Sequence, residues 1–119
     1  NYKYIWNFTP EVKFENVVTI PEDTKWGEAQ VFNSWKRAAK TDADAAEKVR
    51  RYHHRPCEEL YAIGEDPNEW NNLAGHPEYA SIKKELRAAL LAEMRKVGDH
   101  GQKTELAADQ RNAKNLTKK

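Results

Sequence analysis

Cysteine is almost missing from this 119-residue chain: Cys57 is the only one, so no disulfide can close within it. One cysteine does not decide the redox compartment. Methionine is equally scarce, a single internal Met94, and the chain opens on Asn1 rather than on an initiator. An opening of that kind is expected of a piece of a longer protein, and a secretion signal further upstream would not be visible here. No apolar run is long enough to cross a bilayer, so no membrane partner is expected. Neither sign of charge dominates: 20 Lys and Arg stand against 19 Asp and Glu, a net charge of +1. That balance points to no strongly charged partner. No internal repeat is apparent. Gly and Pro number five each, few enough for each to act as punctuation.

What is present is a polar chain with many rings. Hydrophobic residues make up 39% and charged residues 33%, with a mean hydropathy of −1.01. A domain of this size hides a smaller share of its surface than a large one, so the core should be small. Four Trp, five Tyr and three Phe nonetheless argue against disorder throughout. Rings that such a core cannot cover would serve as contact surface for a neighbour.

Read in order, residues 2–8 are aromatic and β-branched and predict a strand, with Tyr2, Tyr4 and Trp6 on one face and Lys3, Ile5 and Asn7 on the other. Thr9-Pro10 ends it. Val12–Ile20 has room for a second short extended piece, and Pro21-Glu22-Asp23 reads as a turn. Thr24 is the expected N-cap of a helix from Trp26 to Lys40, whose stripe would be Val31, Trp35 and Ala38 or Ala39, with Phe32 beside it. Thr41 or Asp42 would cap a second helix, Ala43–Tyr52, with Ala45 or Ala46, Val49 and Tyr52 turned inward.

Glu58–Ile63 predicts a second strand, with Leu60 and Ala62 on one side and Glu59, Tyr61 and Ile63 on the other. Gly64 breaks it. Asp66-Pro67 is turn chemistry: the Asp carboxylate accepts from amides two residues on, and Pro presets φ. Glu69 has backbone amides of the corner within reach, and Asn72 can hold the loop by side-chain-to-backbone bonds. Pro77 fits the first helical position. Tyr79, Ile82, Leu86, Leu90, Met94 and Val97 form an apolar stripe, Arg95 and Lys96 suit the last turn, and Gly98 is the expected C-cap. From Gln102 to Lys119 the chain is polar and reads as a mobile tail. The predicted class is therefore α+β: a small antiparallel sheet packed against a long C-terminal amphipathic helix, with a helical insertion between the strands. Residues 2–8 should pair with 58–63.

The run Arg55-Pro56-Cys57-Glu58-Glu59-Leu60-Tyr61, then Asp66-Pro67, Glu69 and Asn72-Leu73-Ala74 before a long helix, resembles the C-terminal segment of sulfatases. It is most similar to the heparan N-sulfatase (sulfamidase) branch and its bacterial relatives. Tyr2-Lys3-Tyr4-Ile5-Trp6-Asn7 resembles the strand that opens this subdomain. The resemblance covers residues 1 to about 101, which it marks as a sulfatase C-terminal subdomain, with 102–119 as the tail. The Asp-Pro-x-Glu-x-x-Asn-Leu signature (Asp66, Pro67, Glu69, Asn72, Leu73) is its most specific part. One position departs: the family has Asp after the Tyr, and here Ala62 stands there.

The resemblance implies that this subdomain docks against a much larger α/β catalytic domain. In such enzymes a Cys or Ser in a C-x-P-x-R or S-x-P-x-R motif becomes formylglycine, and Asp and Asn residues hold calcium. Cys57 is followed by Glu58-Glu59-Leu60, and no acidic set has hard-cation loop spacing. Formylglycine and calcium are thus expected in an upstream domain, and no catalytic or metal residue in this chain. The implied reaction is hydrolysis of a sulfate ester or N-sulfate, with a sulfated carbohydrate as partner, in a secreted, periplasmic or lysosomal parent.

Within the chain, Arg51, His53, His54 and Arg55 are the candidate substrate-binding set, since Arg forks onto oxyanions. The alternative reading of this basic stretch is a solvated helix face with Glu47 as partner of the arginines. His53-His54 beside Cys57 and Glu58 is the one cluster of metal-ligand types, but zinc spacings do not recur, and adjacent residues on an extended segment point apart. The carboxylates Glu58, Glu59, Glu65, Asp66 and Glu69 read as solvated or turn-capping. Asn7-Phe8-Thr9 and Asn115-Leu116-Thr117 match the glycosylation sequon. A free-standing interaction module is the rival function. A nucleic-acid binder using the Lys114–Lys119 tail lacks a stacking platform and is not expected.

Overall fold

The computed structural model describes residues 1–16, 19 and 27–108. The order of elements is β1 (Lys3–Trp6), α1 (Gly27–Ala38), α2 (Ala43–His53), β2 (Glu58–Tyr61), a 3-10 turn (Pro77–Tyr79), α3 (Ala80–Val97) and α4 (Gln102–Leu106). The class is α+β, as expected. The chain forms two compact units, one from residues 1–9 with 57–119 and one from 10–56.

In the first unit β1 and β2 pair antiparallel, with Lys3 opposite Tyr61, Tyr4 opposite Leu60, Ile5 opposite Glu59 and Trp6 opposite Glu58. Both strands are shorter than predicted. β2 stops at Tyr61 because the Ala62 carbonyl turns to accept the Glu65 and Asp66 amides, so Ile63 lies outside the ladder and is exposed. Leu60 is fully buried, and Tyr61 and Leu73 are nearly so. The sheet face carrying Tyr4, Trp6 and Glu58 meets α3, which sends Arg87 over the Trp6 ring at 4.5 Å.

Pro77 opens the 3-10 turn that leads into α3. The predicted stripe on α3 is half-buried from Tyr79 to Met94, but Val97 is exposed: it lies in the last turn, where the helix is already ending. Gly98 takes φ +70 and its amide bonds the Arg95 carbonyl, while the Asp99 amide reaches the Met94 carbonyl at 2.9 Å. That is the Schellman ending, and it requires the left-handed residue that Gly supplies. The stretch read as a polar tail begins with the short helix α4. Residues from 109 onward, with the second sequon and the Lys tail, lie outside the described residues.

In the second unit Asp42 is the cap of α2, its carboxylate accepting from the Asp44 amide at 2.9 Å and the Ala45 amide at 3.1 Å. The inward side of α2 is as predicted. α1 is rotated relative to expectation: Phe32 is the buried residue, while Val31 and Trp35 are 59% and 46% exposed. The cause is aromatic packing, since the Phe32 ring sits 4.9 Å from Tyr52 and 5.3 Å from His53, centre to centre. One ring held by two others outweighs a pair of weaker apolar neighbours. Thr24, Trp26, the turn at 21–23 and residues 17, 18 and 20 of the extended piece fall outside the described residues, and the described part of that piece, 12–16 and 19, forms no strand.

Candidate functional site

The Asp66–Asn72 corner is built around Asn72. Its Oδ1 accepts from the Leu60 amide at 2.9 Å and the Ala74 amide at 3.0 Å, and its Nδ2 donates to the Glu58 carbonyl at 3.1 Å. The Leu73 amide then bonds the Leu60 carbonyl at 2.8 Å. Side chain and backbone together act as a stand-in third strand along the outer edge of β2, satisfying groups that burial would otherwise penalise. The loop role predicted for Asn72 is therefore what the structure contains.

One detail of the corner adds to the expectation and one differs from it. The Asp66 carboxylate accepts from the Asn71 amide at 2.7 Å, five residues on. Glu69 reaches no backbone amide of the corner. It adopts φ +57, uncommon for a residue with a side chain, and its carboxylate receives Lys3 Nζ at 2.8 and 2.9 Å.

Beneath the corner lies a charged cluster that sequence reading missed. Tyr4 Oη donates to Glu58 Oε1 at 2.6 Å, and the same carboxylate meets Lys83 at 3.3 Å and Arg87 at 3.4 Å. The Tyr4 hydroxyl, then the Lys83 and Arg87 charges, hold the Glu58 carboxyl below its ordinary range against the opposing effect of burial. Burial, followed by the Glu58 hydrogen bond and charge, pushes the Tyr4 phenol well above its ordinary value. The signal that points to this cluster is strand register. Tyr4 and Glu58 are 54 residues apart but become diagonal neighbours once β1 and β2 pair.

The candidate substrate-binding residues all lie in the second unit, at the end of α2 and just after it. His53 is buried, with Nδ1 2.8 Å from the Phe14 carbonyl and its ring edge-on to Phe32 and Tyr52. Its surroundings are those of a core bracket, tying residue 14 to α2. His54 is exposed, its ring 6.5 Å from that of His53. One of the adjacent histidines is thus buried and the other exposed, but their rings stay in edge contact, because His53 ends α2 rather than lying on an extended segment. Arg55 is exposed and stacks its guanidinium 3.9 Å from the centre of the Phe14 ring. Arg51 is half-buried. Its neighbour Arg50 forks onto Glu47 at 2.6 and 2.7 Å. Glu47 is held low by that Arg50 hydrogen bond first, with the Arg51 charge adding to it. The structure therefore presents His54 and Arg55 to solvent, engages Arg50 with Glu47, and buries His53. Among the described residues no group of three or more His, Cys, Asp and Glu is placed to hold a metal ion.

Comparison with known proteins gives one clear likeness. Over 98 residues the chain is 34% identical to an ulvan-active sulfatase of Formosa agariphila, a match covering 82% of this chain and 16% of that enzyme. The chain thus spans about a sixth of the enzyme it resembles. No family model and no solved structure matches. The likeness supports a sulfatase relationship for this chain.

Proposed function

We propose that this chain is the C-terminal subdomain of a sulfatase-type hydrolase, of the sulfamidase-like branch, acting on a sulfate ester or N-sulfate of a carbohydrate. The observation that carries the reading is the 98-residue likeness to an ulvan-active sulfatase. The Asp66–Leu73 signature supports it, since Asp66 and Asn72 bond the backbone of the corner and Glu69 ties the corner to Lys3 of β1. The chemistry belongs to the upstream catalytic domain, where formylglycine and calcium would act. The subdomain braces that domain. The exposed Val31 and Trp35, one turn apart on α1, support a bracing role because they are apolar surface suited to burial against a neighbour. His54 and Arg55, with Arg51 behind them, line one wall of the substrate cleft and meet the sulfate. A stacked guanidinium such as that of Arg55 keeps its edge donors available for an oxyanion.

The test is sulfate release from sulfated saccharides, measured for the full gene product and for the 119-residue chain. The full product should release sulfate and the chain alone should not. Arg55→Ala in the full product should raise KM about tenfold, the scale of a lost charge-assisted hydrogen bond, with a smaller change in kcat. Release by the chain alone, or an unchanged KM in the variant, would overturn the corresponding part of the reading.

A further inference from the structure

A groove of about 360 Å³ opens in the first unit beside the C-terminal end of α3. Its floor is Trp6, Phe8, Leu91 and Met94, and its rim carries Arg95, Asp99, His100 and Gln102. The floor is held in place. Trp6 and Phe8 lie 4.8 Å apart, tilted by 51°, and Arg87 stacks on Trp6. Gly101 takes φ +62, and a Cβ there would meet the Phe8 ring at 3.0 Å, so glycine lets the backbone close against that ring. The rim is mixed. Asp99 Oδ1 accepts from the Gly101 amide at 2.8 Å, leaving its second oxygen as an acceptor. Arg95 is exposed and makes no ion pair among the described residues.

We propose that this groove binds a saccharide ring bearing one sulfate, as a second carbohydrate site apart from the Arg51–Arg55 segment. The choice of sulfate as the anion rests on the sulfatase reading above. The rest comes from the groove. A pyranose offers an apolar C–H face and a fringe of hydroxyls that both donate and accept. An aromatic floor with an adjacent carboxylate, guanidinium, imidazole and carboxamide matches that pattern. An apolar helix would leave those rim groups unpaired. The rim holds one fixed cation, Arg95, and one carboxylate, Asp99, so it offers a single contact for an anion and a single charged acceptor for a hydroxyl. Arg95 takes the sulfate, Asp99 accepts from a hydroxyl, and Trp6 and Phe8 carry the ring.

The test is a titration of the 119-residue chain with galactose 6-sulfate, galactose and inorganic sulfate, followed by ¹H–¹⁵N shifts of the Trp6 indole and the Gly101 amide. Galactose 6-sulfate should give saturable shifts, and galactose weaker ones at the same signals. Arg95→Ser, an exposed change in the last turn of α3, should weaken the sulfated sugar about tenfold and leave galactose unchanged. His100→Ala, also at an exposed position, should weaken the sulfated sugar as well. The inference is overturned by an absence of saturable shifts, by inorganic sulfate binding as well as the sugar (an adventitious ion only), or by Arg95→Ser binding like the parent chain. Sulfate release by the full gene product is read separately. Release without groove binding overturns this inference alone, and groove binding without release overturns the sulfatase reading alone.

Discussion

Asn72 shows how much one side chain can carry. Three backbone groups around a fully buried Leu60 depend on it. Removing it leaves two donors, the Leu60 and Ala74 amides, and one acceptor, the Glu58 carbonyl, without this partner near the core, at a cost of about 2 kcal/mol. Asn72→Ala should lower the denaturant midpoint accordingly, and Asn72→Asp, which keeps the acceptor and loses the donor, should fall between. The role of Asn72 was legible because Asx residues bond local backbone wherever a loop turns. The partners of Glu58 were not, because strand register must be known before a carboxylate can be assigned to a tyrosine so distant in sequence. That carboxylate also gives a pH signature. Its pKa is depressed in the folded chain, so its stabilisation is present above the ordinary carboxylate value of 4.5 and is lost as pH falls through the folded value. Tyr4 has the opposite sign. Its pKa is raised, so its contribution is present below pH 10.0 and is lost as pH climbs past it. Chemical denaturation across pH should show both flanks, and Glu58→Gln should flatten the acid one. An acid flank unchanged in that variant would remove Glu58 as its cause.

At the scale of elements, punctuation was the most readable part. Asp42, Pro77 and Gly98 sit where capping rules place them, since each answers to backbone groups within a turn of itself. Asp42→Ala should cost about 1 kcal/mol, and Asp42→Ser should recover most of it, as read from thermal unfolding. Helix faces were less readable. α1 carries Val31, Phe32 and Trp35 in five residues, and periodicity alone permits either of two rotations. Tyr52 and His53, contributed by α2, choose the one that buries Phe32. The buried His53 has the same origin. As a sequence feature it belonged to a basic, ligand-facing stretch, while its hydrogen bond to the Phe14 carbonyl is a tertiary fact.

At the scale of the whole chain, a helical insertion between two pairing strands was legible from the sequence, while its forming a compact unit of its own was not. The Asn7 amide bonds the Cys57 carbonyl at 2.9 Å, so the chain leaves and rejoins the first unit at neighbouring points. Such an arrangement lets a segment be inserted with little effect on the sheet that hosts it. The small core was also legible from composition. What covers Val31 and Trp35 was not, because surface complementarity is a property of two partners. The central claim, that this chain is the tail of a sulfatase, is tested most directly by reading the native gene upstream of Asn1. An in-frame Cys or Ser followed by x-Pro-x-Arg, a few hundred residues earlier, is the predicted result. A start codon immediately before Asn1, with no such motif in frame, would contradict it and leave a free-standing protein whose function must be sought among binding partners.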